Sequence, residues 1–121
     1  LNLWGSVVMP GYVTEEEKAI LYRHCRGVVL PSLFEGFGFP VLEGFYYQKP
    51  VLASTGGALP EVCGDAAVMI NPEDEGAIAD GLEKIAFFDG EHLKNILQKQ
   101  TNRLRHYDWS DSAHKSVDSF I

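Results

Sequence analysis

Cysteine is scarce in this sequence, which has only Cys25 and Cys63 in 121 residues. Two cysteines without Cys-x-x-Cys or Cys/His spacing are too few for the disulfide framework of a secreted domain or for a zinc site. We therefore expect two buried, reduced thiols in a cytoplasmic protein. At this length a chain can bury a core without cross-links.

Positive charge and long hydrophobic runs are also lacking. Ten Lys and Arg residues against seventeen Asp and Glu residues give a formal net charge of −7. Nucleic acids and anionic membranes bind basic patches, and none is visible, so we expect no nucleic-acid partner. Apolar stretches such as residues 27–34 fall well short of the ~20 residues of a membrane span. Because the chain starts with Leu1 and not methionine, we expect a fragment of a longer protein.

Short runs of valine, isoleucine and leucine alternate with segments of helical period. This alternation is typical of βα units around a parallel sheet that is buried on both faces. It predicts an α/β fold with a Rossmann-like parallel sheet, flanking helices and extra C-terminal helices, in one domain over residues 1–121. The predicted strands are residues 7–9, 27–30, 51–53 and 67–70. The first predicted helix is capped by Thr14. The next are residues 40–48, a helical turn at 60–62, and residues 73–88. The last third of the chain is also predicted to be helical and to finish with a short helix ending near Ile121.

Two carboxylates, Glu35 and Glu43, flank a predicted strand-to-helix turn with seven residues between them. In parallel sheets, ligands bind beyond the carboxyl ends of the strands, where this turn lies. Gly36 and Gly38 let the backbone approach a ligand, and the amides before Pro40 lie at a helix N-terminus, which suits phosphate. Carboxylates accept hydrogen bonds from sugar hydroxyls. The pattern therefore predicts a ligand with both phosphate and polyhydroxylated parts.

Other candidates have two interpretations each. Thr55 and Gly56, in the loop of residues 54–57, are further candidate ligand contacts beside the same strand ends, although the loop could merely turn the chain. The rings of Phe37 and Phe39 could pack within the protein or stack on a sugar, and packing is the more frequent role of such rings. Glu61 could cap its own turn or approach the ligand. The histidines have no acid or thiol at ligand spacing, so we expect no catalytic role for them: His24, His92, His106 and His114.

The run of residues 31–44, PSLFEGFGFPVLEG, resembles the E-x7-E motif of retaining glycosyltransferases of family 4, which have the GT-B fold. Further similar segments stand in order on both sides of it, and the resemblance covers about residues 7–110. These segments are residues 11–13, 21–22, 50–54, 59–62, 64–67 and 71–72. The resemblance implies the C-terminal, nucleotide-sugar-binding half of a two-domain hexosyltransferase.

The resemblance also implies a role for each matched residue. Glu35 is the catalytic candidate and contacts the donor sugar, orienting it rather than serving as an established nucleophile. The amides of Gly36, Phe37, Gly38 and Phe39 lie near the sugar and diphosphate, and Glu43 binds the ribose hydroxyls. The reaction is transfer of a sugar, with retention of configuration, from a nucleotide-diphosphate sugar to a glycan or lipid acceptor. It requires no cofactor and no metal.

The sequence departs from the family pattern upstream of Leu1. The basic Arg and Lys pair that grips the diphosphate in the family has no counterpart here, and neither does the acceptor-binding N-terminal domain. We therefore expect this chain alone to be inactive and the complete enzyme to be cytoplasmic, with peripheral contact at the inner face of the membrane as a further option. Two alternatives stay open: an epimerase-like GT-B domain acting on nucleotide sugars, and a non-catalytic flavodoxin-like binding module.

Overall fold

A computed structural model describes residues 2–107 of the chain. Helices and strands alternate through most of this range, as the sequence predicts. In chain order the elements are α1 (Glu15–His24), β1 (Val28–Leu30), α2 (Phe39–Tyr46), β2 (Val51–Ser54), α3 (Leu59–Cys63), β3 (Val68–Ile70), α4 (Glu75–Ala86), α5 (Gly90–Leu104) and a 3-10 turn (Arg105–Tyr107).

The three strands form one parallel sheet in the order β1, β2, β3. Val28 lies opposite Val51, and Leu52 lies opposite Val68. Central strand β2 is buried at all four residues, as expected for a parallel sheet covered on both faces. The carboxyl ends of the three strands therefore meet along one edge. The predicted α/β class with a Rossmann-like parallel sheet and flanking helices is confirmed.

The first predicted strand is wrong. Residues 7–9 form no strand, and Val8 and Met9 are 83% and 81% exposed. A run of three apolar residues has too weak a β-preference to specify pairing without a neighbouring strand. Within the described residues the sheet therefore has three strands where the sequence predicted four.

The predicted start of α1 is confirmed in detail. The hydroxyl of Thr14 accepts the amide of Glu17 at 3.2 Å, and the carboxylate of Glu17 accepts the amide of Thr14 at 2.8 Å. This reciprocal pair is a capping box, which satisfies two donors that the helix itself leaves unpaired. The first-turn glutamates therefore serve the helix end, as their position predicts.

Other helix ends differ from the prediction by a few residues. Helix α2 stops at Tyr46 because the chain then enters a left-handed conformation at Gln48, with φ 55°. Helix α4 begins after Asp74, whose carboxylate caps the amide of Ala77, and ends before Asp89, which caps α5. Helix α5 confirms the helical period of residues 93–104, while the predicted final helix lies outside the described residues.

Two apolar layers cover the sheet. Phe45 of α2 and Leu59 of α3 are fully buried on one face, and Ile85 of α4 packs against Leu52 on the other. Helix α2 approaches the sheet closely at Gly44, where a Cβ atom would lie 2.8 Å from Val51. This packing fixes α2, and with it the predicted site, against β1 and β2.

The two thiols differ in burial. Cys63 is fully buried, as predicted, whereas Cys25 is only half-buried, so the expectation of burial is wrong there. Cys25 is the C-terminal cap of α1, a helix with no buried residue, and its thiol donates to the carbonyl of Tyr22 at 3.3 Å. The thiol therefore has a local hydrogen-bond partner instead of a place in the core.

Candidate functional site

Two loops meet at the carboxyl edge of the sheet. The loop of residues 31–38 follows β1 and holds Glu35, whose carboxylate accepts the hydroxyl of Ser32 at 3.1 Å. The amide of Ala58, in the loop after β2, donates to the carbonyl of Glu35 at 2.9 Å. The hydroxyl of Ser54, at the end of β2, donates to the carbonyl of Ser32. These bonds hold the backbone around Glu35 against the second loop.

Glycine allows the two loops to approach each other. A Cβ atom on Gly56 would lie 2.7 Å from the carbonyl oxygen of Ser32, and one on Gly57 would lie 2.7 Å from the amide nitrogen of Glu35. Gly57 also has φ 61°, in the left-handed region that favours glycine. Gly56, a candidate ligand contact in the sequence, and its neighbour Gly57 therefore both support the Glu35 loop.

Thr55 and Gly56 have little main-chain donor capacity left for a ligand. The amide of Thr55 donates to the carbonyl of Ile70 at 3.0 Å, and that of Gly56 donates to the hydroxyl of Ser54 at 3.3 Å. Both residues line, with Asn71, a shallow pocket of about 390 Å³ at the strand ends. Their contact with a ligand stays a prediction, and it would use the Thr55 side chain.

The start of α2 offers backbone donors. Gly38 is its N-cap in a left-handed conformation, with φ 95°, and provides no side-chain cap. A Cβ atom there would lie 2.6 Å from Leu59, so glycine is required on two grounds. Pro40 lies in the first turn, as predicted. Among residues 2–107, the amides of Gly36, Phe37 and Gly38 donate to no carbonyl oxygen. Gly36 and Phe37 are exposed and available to an anion near this helix end, whereas Gly38 is buried.

Glu43 lies in the second turn of α2, and α1 contributes two donors to its carboxylate. The hydroxyl of Tyr22 donates to Oε2 at 2.8 Å, and Nζ of Lys18 lies 2.9 Å from Oε1. Lys18 also pairs with Glu15 at 2.9 Å. About a third of the Glu43 side chain is exposed. The carboxylate is therefore held from one side and open on the other.

Both donors keep their protons over the ordinary pH range. The hydrogen bond to Glu43, followed by that to Glu15, raises the pKa of the Lys18 ammonium. Burial raises the pKa of the Tyr22 phenol, and its bond to Glu43 raises it further. This pair was not predicted from the sequence. The available signal was the spacing of four residues, which places Lys18 and Tyr22 on the same face of α1.

The aromatic rings near the motif pack on one another. The ring centroids of Phe37 and Phe39 lie 4.9 Å apart, and Phe37 meets Tyr107 edge-on at 5.7 Å. These rings line an apolar groove of about 680 Å³ that also contacts Leu42 and Leu104. Phe37 and Phe39 are nevertheless 36% and 58% exposed, so packing and stacking on a sugar both stay predictions for these rings.

The remaining candidates lie apart from these loops or take part in local contacts. The carboxylate of Glu61 is exposed in the first turn of α3, while its carbonyl accepts the guanidinium of Arg103. His92 pairs with Asp89 at 2.7 Å. In residues 2–107, no three His, Cys, Asp or Glu side chains form a metal-binding group, and no helix is long and apolar enough to cross a membrane. His114 lies outside the described residues.

Comparison with known proteins places the chain in a family. Residues 1–103 match the family model "Glycosyl transferases group 1". The serotype-specific mannosyltransferase WbdA of Escherichia coli is 32% identical over 116 residues, which are 96% of this chain and 14% of that protein. The O-antigen chain mannosyltransferase RfbU of Salmonella typhimurium is 30% identical over 111 residues, which are 92% of this chain and 30% of that protein. The chain thus spans less than a third of these relatives.

A solved structure has the same fold. Sucrose-phosphate synthase from Thermosynechococcus elongatus superimposes with a TM-score of 0.83 at 24% identity, over 98% of this chain and 30% of that one. This likeness shows the fold, that of a GT-B glycosyltransferase. With the family match over most of its length, the chain belongs to the group 1 glycosyl transferases.

Proposed function

We propose that this chain is the donor-binding part of a retaining glycosyltransferase that transfers mannose from a nucleotide-diphosphate sugar. The observation that carries the proposal is the placement of Glu35 and Glu43 on either side of the α2 N-terminus, at the carboxyl edge of a parallel sheet. Family membership supports transfer over the epimerase-like and flavodoxin-like alternatives. The printed names of the relatives support mannose as the sugar.

Each part of the site fits one part of such a donor. The amides of residues 36–39 would hold the diphosphate at the positive end of the α2 dipole, which compensates for the acidic composition of the chain. Glu43 lies four residues beyond Phe39, or about 6 Å along the helix, and would accept ribose hydroxyls. Glu35, in the loop before the helix, would accept hydroxyls of the sugar. The donor would therefore lie along α2 and across the sheet edge.

The chemistry follows from stabilising the leaving diphosphate. As the bond between sugar and diphosphate breaks, negative charge develops on the phosphate oxygens, and preorganised donors lower the barrier by binding it. Glu35 would orient the sugar so that the acceptor hydroxyl attacks from the face that the diphosphate leaves, and the hydroxyl proton would pass to the departing diphosphate. This front-face course retains the anomeric configuration. It assigns no step to a metal or cofactor.

The acceptor side belongs to the complete enzyme. We infer that a glycan or lipid acceptor binds through an N-terminal domain outside this chain, and that the chain alone is inactive. The O-antigen relatives support a role in surface polysaccharide assembly. Such assembly would place the complete enzyme in the cytoplasm, with peripheral contact at the inner face of the membrane.

Calorimetric titration of the full 121-residue chain with GDP, UDP and ADP tests the donor site. We expect one of these nucleotides to bind and Glu43→Gln to weaken its binding about 10-fold or more, since hydrogen bonds to charged groups contribute about 1.5–3 kcal/mol. Glu83→Gln, at an exposed position of α4, is the matched control and should bind like the unmodified chain. Equal affinities of the Glu43→Gln variant and the unmodified chain would contradict the proposal.

A further inference from the structure

The structure assigns Lys18 and Tyr22 a positioning role: they orient the Glu43 carboxylate toward the two hydroxyls of a nucleotide ribose. This inference rests on the proposed function and deepens it. Each residue donates to a different carboxylate oxygen, Tyr22 to Oε2 at 2.8 Å and Lys18 to Oε1 at 2.9 Å. Neither residue needs to touch the nucleotide.

The lone pairs of the carboxylate explain the arrangement. An ionised carboxylate has about four acceptor sites, two on each oxygen. The donors from α1 use one site on each oxygen of Glu43, which leaves one on each oxygen for a ligand. Two adjacent acceptors match the two neighbouring hydroxyls of a ribose. Without donors from α1, the carboxylate could rotate among side-chain conformers, and nucleotide binding would have to order it.

Tyr22 is itself held in place. Its ring stacks on that of Tyr47, with centroids 5.3 Å apart and planes within 6° of each other. Tyr47 is the C-terminal cap of α2, and its amide donates to the carbonyl of Glu43 at 3.0 Å. The stack therefore links the donor hydroxyl to the same helix that carries its acceptor. This link makes the hydroxyl of Tyr22 a fixed support.

Lys18 is the adjustable member of the pair. Its ammonium bridges Glu43 and Glu15, and the Glu15 side chain is 88% exposed. Because the exposed carboxylate of Glu15 is within reach, Lys18 can weaken its bond to Glu43 and still keep its ion pair with Glu15. We therefore expect the tyrosine to contribute more to ribose recognition than the lysine.

The test compares GDP, UDP and ADP with their 2′,3′-dideoxy counterparts, by calorimetric titration of the full 121-residue chain. In the unmodified chain the ribonucleotide should bind more tightly. Tyr22→Phe keeps the stacked ring and removes the hydroxyl, and it should reduce this preference about 10-fold, the low end of the loss expected for one hydrogen bond to a charged group. Lys18→Met should reduce it about 2-fold to 5-fold, as expected for a partly exposed ion pair.

Dideoxynucleotide binding separates positioning from general structural support. A positioning role leaves the affinity for the dideoxynucleotide unchanged in both variants, whereas general damage to the site weakens both nucleotides equally. Tyr12→Phe and Lys94→Met are the matched controls, at exposed positions, and should keep the full preference. Thermal unfolding of each variant checks that α1 still packs.

The possible failures are distinguishable. If no ribonucleotide binds the unmodified chain, or if dideoxynucleotides bind it equally well, the ribose role of Glu43 is wrong and this inference fails with it. If the unmodified chain prefers the ribonucleotide and both variants keep that preference, only the positioning role is wrong. Equal weakening of both nucleotides also overturns the positioning role alone.

Discussion

The amide of Ala58 donates a 2.9 Å hydrogen bond to the carbonyl oxygen of Glu35. This bond joins the loop after β2 to the loop after β1, so the position of the first motif glutamate depends on residues more than twenty positions away. The side chain of Glu35 has its own local donor in Ser32, at 3.1 Å. Backbone and side chain of Glu35 are therefore supported separately.

Gly57→Ala should destabilise the chain and disturb Glu35. The new Cβ atom would meet the backbone of Glu35, and φ 61° is unfavourable for alanine, so we expect the free energy of unfolding to fall by about 1–3 kcal/mol. Urea unfolding measures the change. Gly90→Ala is the control, because no atom lies within 4 Å of a Cβ there, and its effect should stay within about 0.5 kcal/mol. Equal stability of the two variants would contradict this account of the loop.

Asp89 should make the stability of α5 depend on acid pH. The backbone amide of His92 donates to the Asp89 carboxylate at 2.8 Å, and this bond, with the imidazole bond, lowers the pKa of Asp89 below its ordinary value of 3.8. A carboxyl group whose pKa is lower in the folded state stabilises the fold at pH values above its unfolded-state pKa. This stabilisation is lost as the pH falls through the folded-state pKa.

Comparing Asp89→Asn with the unmodified chain tests this dependence. The difference in free energy of unfolding should be present at pH 5 and should shrink as the pH falls below about 3.8, the ordinary carboxyl value. Urea unfolding over this pH series measures it. Asp80→Asn, at an exposed position of α4, is the control and should show a smaller difference at pH 5. If the difference in free energy of unfolding between Asp89→Asn and the unmodified chain does not change with pH, the proposed coupling of Asp89 protonation to stability is ruled out.

The two cysteines should react at different rates. Burial raises the pKa of the Cys63 thiol to about 11, and its side chain is fully buried, whereas Cys25 is half-buried. The thiolate is the reactive form, so iodoacetamide at pH 8 should label Cys25 first and Cys63 only after unfolding in guanidinium chloride. Peptide mass spectrometry distinguishes the two sites, and Cys25→Ser serves as the control. Rapid labelling of Cys63 in the folded chain would contradict its burial.

The sequence predicted those features that depend on neighbouring residues. The helix cap at Thr14 needs only residues within one helical turn. The strand that begins at Val51 and the one that ends at Ile70 are short apolar runs between helices. The meeting of the loops that hold Glu35 and Gly57 follows from parallel strand order. Each of these features could be predicted because local preference and fold topology agree.

The sequence alone did not predict contacts that depend on how helices pack. The bonds from Lys18 and Tyr22 to Glu43 require a particular orientation of α1 against α2, which no local pattern specifies. The exposed residues 7–9 have strand-like composition, but no described strand pairs with them. In both cases tertiary context decides what an individual residue does.

The most direct test of the donor site is a backbone-amide NMR titration of the 121-residue chain with GDP, UDP and ADP. The account predicts that one nucleotide shifts the amides of residues 36–39 and of Glu43, with smaller shifts in residues 54–57. The same shifts should be lost in Glu43→Gln and kept in Glu83→Gln. Saturating shifts confined to another surface, or no shifts with any of the three nucleotides in the folded chain, would contradict the assignment of a nucleotide-sugar site to this edge of the sheet.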